Sequence, residues 1–229
     1  MLLNGCHKIE FMRMEIDGLT LKIPNSVYKP SEDSLLLSKY GVHLKGKILD
    51  VGCGCGIAGL MNAKQNPKNY VLGVDKNPYA VECSRYNAIR NGIGNMSFIL
   101  SDLFENVPKE RFDGILFNPP YLPTEEDERL NDELNYAFDG GPDGRALTER
   151  FLDDFERYLA DSGIVLIIQS SLSGIEKTVS DLEKRGFIVS LKEEQKFFFE
   201  KISLIEGQNR KILACSEIIK FPIQGRKRM

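Results

Sequence analysis

The tetrapeptide Asn118-Pro119-Pro120-Tyr121 carries the most specific chemistry in this sequence. A double proline cannot continue a sheet and gives up two backbone donors, so the segment is rigid and presents carbonyl oxygens. The Asn118 side-chain oxygen and the Pro119 carbonyl make a pair of acceptors that can take both N–H hydrogens of a planar NH2 group. The Tyr121 ring can stack on that plane, and Pro120 helps to shape the seat. The lone pair of such a nitrogen is delocalised into a carbonyl or a ring, so catalysis becomes placement and electrostatics rather than proton removal. Asn118→Asp keeps an acceptor, so on sequence grounds it retains part of the activity that Asn118→Ala loses.

A second group of residues suits a nucleotide-type ligand. Asp50-Val51-Gly52-Cys53-Gly54-Cys55-Gly56 has three alternating glycines after an apolar run, a turn that lets backbone approach a ligand where a Cβ would not fit. Gly54-x-Gly56-x-x-Gly59, with Asp75 further on, also satisfies the dinucleotide pattern. Asp50 argues against that alternative, because its carboxylate would face a pyrophosphate, whereas a ligand with a cationic amino group accommodates it. Asp75 and Ser101-Asp102-Leu103 end the next two apolar runs. Three carboxylates at consecutive strand ends lie on the side where open α/β sheets bind ligands.

The elements that must position these residues read as a doubly wound, mostly parallel α/β sheet of about seven strands. Strands are predicted over 47–51, 70–75, 96–100, 113–117 and 163–169, with helices over 57–66, 78–91 and 145–159 between them. A helix near 175–185 and segments 187–191, 197–205 and 211–220 read as a final strand and hairpin that make the sheet mixed at that end. Before the sheet, Met12, Met14 and Ile16, then Asp17-Gly18, then Leu19, Leu21 and Ile23 spell a β-hairpin with one apolar face. Ser31 is the expected N-cap of the following helix, where Glu32 and Asp33 suit the positive helix pole. The expected organisation is one domain, 1–229, with a hairpin extension over 1–30 and the catalytic core over 31–229.

Composition narrows the class. The chain has 229 residues, 42% hydrophobic and 28% charged, an ordinary globular balance. A net charge of -3 gives no general pull toward nucleic acid or an anionic membrane. The longest strongly apolar run, 164–168, is far below a membrane span. Five scattered cysteines read as reduced thiols in a cytoplasmic protein, and the Cys53/Cys55 spacing does not suit zinc. No metal site is expected.

Asp50-x-Gly52-x-Gly54-x-Gly56 resembles motif I of class I S-adenosylmethionine (SAM) methyltransferases, and Asn118-Pro119-Pro120-Tyr121 resembles the motif of those that act on amide or exocyclic amino nitrogens. Tyr28-Lys29-Pro30-Ser31-Glu32-Asp33-Ser34-Leu35-Leu36-Leu37 is similar to the signature of the short archaeal and eukaryotic branch of HemK-like enzymes, which methylate glutamine N5 in the Gly-Gly-Gln motif of translation release factors. Gly140-Gly141-Pro142-Asp143-Gly144-Arg145 is similar to the segment that follows in that lineage. The match spans most of 27–169.

The resemblance implies roles. Asp50, Gly52 and Gly54 line the methionine part of SAM, Asp75 holds the ribose, and Asp102 with the Leu103 N–H holds the adenine. Ser34 lies near the SAM carboxylate, and Asn118 to Tyr121 hold the glutamine amide. Members of the short branch pair with a small zinc-binding activator protein. Met96, Phe98 and Leu100 on the third strand, an edge in this class, are candidates for the covered surface, with buried core as the competing reading. The acidic run 125–128 reads as a solvated loop or a contact for a basic substrate, and the tail 225–229 as a frayed end. Two functional alternatives remain open: an amino-group methyltransferase for DNA, RNA or another protein side chain, and an inactive SAM-binding partner.

Overall fold

The apolar runs that end in these acids form the centre of one sheet, because continuous Val/Ile/Leu strands need helices on both faces. The computed structural model describes residues 10–124 and 140–209. In chain order the elements are β1 (Phe11–Ile16), β2 (Leu19–Pro24), α1 (Glu32–Gly41), β3 (Lys47–Val51), α2 (Ile57–Gln65), β4 (Tyr70–Asp75), α3 (Pro78–Arg90), β5 (Met96–Leu100) and β6 (Phe112–Phe117). Then follow α4 (Ala146–Asp154), β7 (Leu159–Ser170), α5 (Ile175–Lys184), β8 (Phe187–Lys196) and β9 (Lys201–Asn209). The sheet order is β5-β4-β3-β6-β7-β9-β8, with β9 alone running against the rest. The order reverses between β3 and β6, which opens a crevice beyond their carboxyl ends. Two apolar clusters fill the two faces of the sheet, one around Ile48, Leu60 and Leu116, the other around Leu49, Phe117 and Phe151.

The Asp17-Gly18 turn takes positive φ at both residues, 47° and 75°, and pairs Ile16 with Leu19, Met14 with Leu21 and Met12 with Ile23 as the sequence predicts. Burial is uneven. Leu19, Leu21 and Ile23 are buried, whereas Met12 is exposed. The outer edge of β2 meets α3 through side-chain amides: Asn91 Oδ1 accepts from Thr20 N and Asn87 Oδ1 from Lys22 N, both at 2.9 Å.

Three expectations need correction. Helix α4 stops at Asp154 rather than at 159, because Phe155 turns into the aromatic core and Leu159 already pairs with Phe112 across an irregular start of β7. The last hairpin pairs 187–196 with 201–209, and Phe197 to Phe199 form its turn, where Phe197 N donates to Glu200 O at 2.8 Å. Aromatic strand propensity misreads that turn. Finally, β5 is an edge, but Phe98 is buried against Gly73 and the Met96 side chain reaches inward to Gly59 and is half-buried, so Leu100, 51% exposed, offers most of the apolar surface among the three candidates. Ser31 occupies the N-cap position of α1 without a capping bond, its hydroxyl donating to Glu32 instead. The segments 125–139 and 210–229, with the acidic run, the predicted strand 211–220 and the tail, lie outside the described residues. Among the described residues no helix is long and apolar enough to cross a membrane.

Candidate active site

The glycine loop begins where β3 ends. Gly52 N and Cys53 N both donate to Val74 O, at 2.8 and 2.9 Å, which turns the chain away from the sheet. Gly52 and Gly54 have φ of 69° and 57°, and a Cβ on either would meet no protein atom, so the space there is free for a ligand. Gly59 in α2 is constrained differently: a Cβ would stand 2.8 Å from Asp50 Oδ2. Behind the loop Ser84 Oγ donates to Gly54 O at 2.8 Å. Cys53, Cys55 and Cys83 are buried free thiols, the last two pushed up by burial to about 12, which keeps them protonated and inert. Among the described residues no cluster of His, Cys, Asp or Glu forms a metal-binding group.

The three strand-end acids differ. Asp50 is buried and accepts from Gly59 N at 2.9 Å, and burial raises its pKa to about 7. Asp75 accepts from Asn77 N on Oδ1 and from Gly54 N on Oδ2, both at 2.8 Å; burial raises its pKa while these bonds oppose the rise. The Lys76 backbone N–H also bonds to this carboxylate, which leaves it acceptor capacity for a ligand hydroxyl. Asp102 forms ion pairs with Lys76 at 3.4 Å and Arg150 at 3.1 Å. Leu103 adopts φ of 48°, which costs a bulky residue on the order of 1 to 2 kcal/mol. Ser101 holds that conformation, its hydroxyl donating to Leu103 O at 2.9 Å and accepting from Asn106 N at 3.0 Å.

Asp50 gives a pH prediction with a definite sign. A ligand ammonium near it stabilises the ionised form, so the bound pKa lies below the free value of about 7. Affinity for SAM, the donor the sequence implies, is then complete above neutral pH and falls by up to about tenfold per unit as pH drops below 7. Calorimetry between pH 5.5 and 8.5 is expected to show this slope and its loss in Asp50→Asn; a flat wild-type profile sets the assignment aside. In the free protein the sign is opposite. A raised carboxyl pKa makes stability decline as pH rises from the unfolded value near 3.8 to about 7.

The acceptor loop follows β6 and is tied to the first turn of α1. Asp33 Oδ2 accepts from Asn118 Nδ2 at 3.0 Å and from the Tyr121 hydroxyl at 3.1 Å. The Tyr28 hydroxyl donates to the same carboxylate at 3.3 Å, and Ser34 donates to Oδ1 through its backbone N–H and, at 3.1 Å, its hydroxyl. Burial first, then the Asp33 charge, raises both tyrosine pKa values, so both remain donors. Asn118 Oδ1 is buried and has no hydrogen-bond partner. A buried acceptor left without a donor costs on the order of 1 to 3 kcal/mol, which a ligand N–H removes.

Gly140 to Arg145 brace this loop from behind. Thr124 N donates to Gly141 O at 2.9 Å and Gly140 N to Leu122 O at 3.2 Å. A Cβ on Gly144 would stand 2.3 Å from Tyr121 O, so only glycine lets the two chains meet. Arg145 is buried and donates to Ser173 O at 2.7 Å and Thr178 Oγ1 at 3.0 Å.

Ser34, Asp50, Gly52, Gly54, Asp75, Asp102, Leu103, Asn118, Pro119, Pro120 and Tyr121 all line one cavity of about 400 Å³. The sequence therefore names one continuous site. It misses Asp33 and Tyr28 as partners of the acceptor loop, Ser101 as the brace of Leu103, and Lys76 and Arg150 as partners of Asp102. Asp33 already has a sufficient explanation as a helix-terminal acid, and nothing in the sequence links it to a residue 85 positions away. The cavity fits SAM in its donors and acceptors: open backbone at Gly52 and Gly54, a carboxylate suited to an ammonium, and another with acceptor capacity left for a ribose hydroxyl.

Known proteins resemble this chain in sequence and fold. The model of the methyltransferase small domain family matches residues 31–136. A Methanocaldococcus jannaschii protein that carries the provisional name protein N5-glutamine methyltransferase is 47% identical over 197 residues, 86% of this chain and 98% of that protein. The E. cuniculi Mtq2-Trm112 complex, described as responsible for methylation of the translation termination factor eRF1, aligns with a TM-score of 0.63 at 23% identity, covering 80% of this chain and 99% of that one. The T. thermophilus 16S rRNA N2 G1207 methyltransferase, solved with AdoMet and guanosine, aligns with a TM-score of 0.65 at 18% identity over 88% of this chain and 50% of that one.

Proposed function

The chain belongs to the protein N5-glutamine methyltransferase family, a SAM-dependent class I methyltransferase group, and from that premise we propose that its substrate is the glutamine of the Gly-Gly-Gln motif in a peptide release factor. The observation that carries this reading is the buried, unpartnered Oδ1 of Asn118, a residue that lines the same cavity as Asp50 and Asp75. Bound SAM supplies an activated methyl on a sulfonium sulfur. The residues of this chain do the rest: Asp50 and Ser34 face the methionine end, Asp75 accepts from the ribose, and Asp102 with Leu103 N borders the adenine. Asn118 Oδ1 and the Pro119 carbonyl take the two N–H hydrogens of the amide while Pro120 and Tyr121 flank its plane. Two fixed acceptors orient the nitrogen toward the methyl without a strong base.

A second reading, transfer to a nucleic-acid amino group, draws support from the fold shared with the guanosine-bound rRNA enzyme, since a ring NH2 offers the same two donors. A labelled-SAM transfer assay separates the two. Recombinant class 1 release factor is expected to take up label and its Gln→Ala variant at the Gly-Gly-Gln motif to take up none. Label in bulk RNA or DNA, with an unlabelled release factor, overturns the assignment.

Partner use follows from the edge strand. The neighbour is a complex of Mtq2 with Trm112, and here β5 has no strand partner on its outer side among the described residues, with Leu100 exposed. A small zinc-binding activator seated there is expected to raise solubility and activity. Leu100→Asp, which adds a charge at an exposed site and spares the core, is expected to weaken copurification with the activator. A fully active isolated chain that is indifferent to Leu100→Asp sinks the edge as the docking place.

A further inference from the structure

We propose that Asp33 is a positioning residue for methyl transfer: its carboxylate decides which end of the Asn118 amide faces the substrate. This rests on the reading above that the substrate nitrogen arrives as an N–H donor. A primary amide has two ends of nearly equal size, one donating and one accepting, and packing alone does not choose between them. Asp33 Oδ2 is only an acceptor, so it selects the Asn118 nitrogen, at 3.0 Å, and thereby leaves Oδ1, on a residue that lines the cavity, as the end of the amide without a protein partner. With the opposite orientation, the Asn118 NH2 would confront the substrate NH2, donor against donor.

The surroundings of Asp33 hold it to this task. Its other oxygen, Oδ1, is engaged by Ser34 N–H and by the Ser34 hydroxyl at 3.1 Å, which anchors the carboxylate to the first turn of α1. The Tyr121 hydroxyl shares Oδ2 at 3.1 Å, so the ring that flanks the substrate and the amide that accepts from it hang on one atom. Tyr28 closes the far side at 3.3 Å to both oxygens. Asp33 is buried, and in this arrangement all its partners donate.

A reciprocal exchange of the two side chains tests the idea. In Asp33→Asn, the nitrogen of residue 33 takes the place of Oδ2, because the opposite placement sets it against the Ser34 N–H. The Asn118 amide then turns its oxygen to that nitrogen, and transfer is expected to slow by about a hundredfold, with the loss in kcat and with SAM affinity unchanged. In Asn118→Asp, two carboxylates meet at a contact now 3.0 Å long, and a comparable loss is expected. The double variant restores one donor facing one acceptor and leaves a free oxygen in the cavity, so its rate is expected to recover to within about tenfold of wild type. A double variant no faster than the slower single variant, or Asp33→Asn at the wild-type rate, overturns the proposal; recovery in the double also answers the case in which Asp33→Asn alone does not fold.

A substrate-free readout keeps the two hypotheses apart. In protein labelled with 15N-asparagine, the Asn118 side-chain signals are those missing from Asn118→Asp. In wild type they are expected to be protected from exchange, and in Asp33→Asn exposed. If wild type leaves the release factor unlabelled, the substrate assignment fails while this contrast still decides the role of Asp33; equal protection in both proteins overturns that role.

Discussion

Asn118→Ala is expected to reduce single-turnover methyl transfer by at least about a hundredfold with little change in SAM affinity. On the proposed reading, one of two fixed acceptors disappears. The Pro119 carbonyl can still hold the substrate nitrogen but not its orientation, and a displacement of about 1 Å at the reacting atoms is enough for a loss of that size. The substitution also removes a donor from Asp33, whose carboxylate keeps Tyr28, Tyr121 and Ser34, so the loop retains its main tether. Equal melting temperatures of the two proteins will show that the fold is intact. A wild-type rate, or a loss explained wholly by weaker SAM binding, removes the chemical basis of the glutamine assignment. The structure also revises the ranking of Asn118→Asp. From sequence that variant retains partial activity, but with Asp33 Oδ2 3.0 Å from the substituted atom it is expected to resemble alanine.

Asp75→Ala is expected to weaken SAM binding by at least tenfold. Two charge-assisted hydrogen bonds to a ribose contribute roughly 1.5 to 3 kcal/mol each, and tenfold corresponds to about 1.4 kcal/mol. The loss extends beyond the ligand contacts, because Gly54 N and Asn77 N both donate to this carboxylate and would lose their acceptor. The glycine loop, proposed to accommodate the methionine portion, would lose a fixed point at the same time. Calorimetry with a folded variant is the measurement, and unchanged affinity would sink the ribose assignment. Tighter binding of NADH than of SAM by wild type would revive the dinucleotide reading of Gly54, Gly56 and Gly59.

The parts of this molecule that local chemistry determines were legible in its sequence. Strands 47–51, 70–75 and 96–100 have the bounds that their apolar runs indicate, and the glycine spacing after the first gives the positive φ values at Gly52, Gly54 and Gly56. Residues that act through distant partners were not legible. Asp33 reads as a helix-pole acid, and only folding sets its carboxylate against Asn118 and Tyr121. The early end of α4 depends on aromatic stacking of Phe151 with Phe117 and Phe155, and the turn at Phe197 to Phe199 depends on how β8 and β9 pair. Phe98 has the alternation of a surface strand, yet the absence of a side chain at Gly73 gives its ring a place in the core.

The amide bonds between β2 and α3 bear on how this protein avoids unwanted assembly. A strand with free N–H and C=O groups invites a strand from another chain. On β2 those groups are already taken at Thr20 and Lys22 by Asn91 and Asn87. The other outer strands are guarded by charge: β1 carries Arg13 and Glu15, and β8 carries Lys192, Glu193, Glu194 and Lys196. Strand β5, Met-Ser-Phe-Ile-Leu, has no charged residue at all. Its border is guarded from outside the strand instead: Phe98 O accepts from the Arg85 guanidinium of α3 at 3.3 Å and Leu100 O from the Asn106 amide at 3.0 Å, so a charge and an amide borrowed from neighbouring segments occupy the groups that a foreign strand would need.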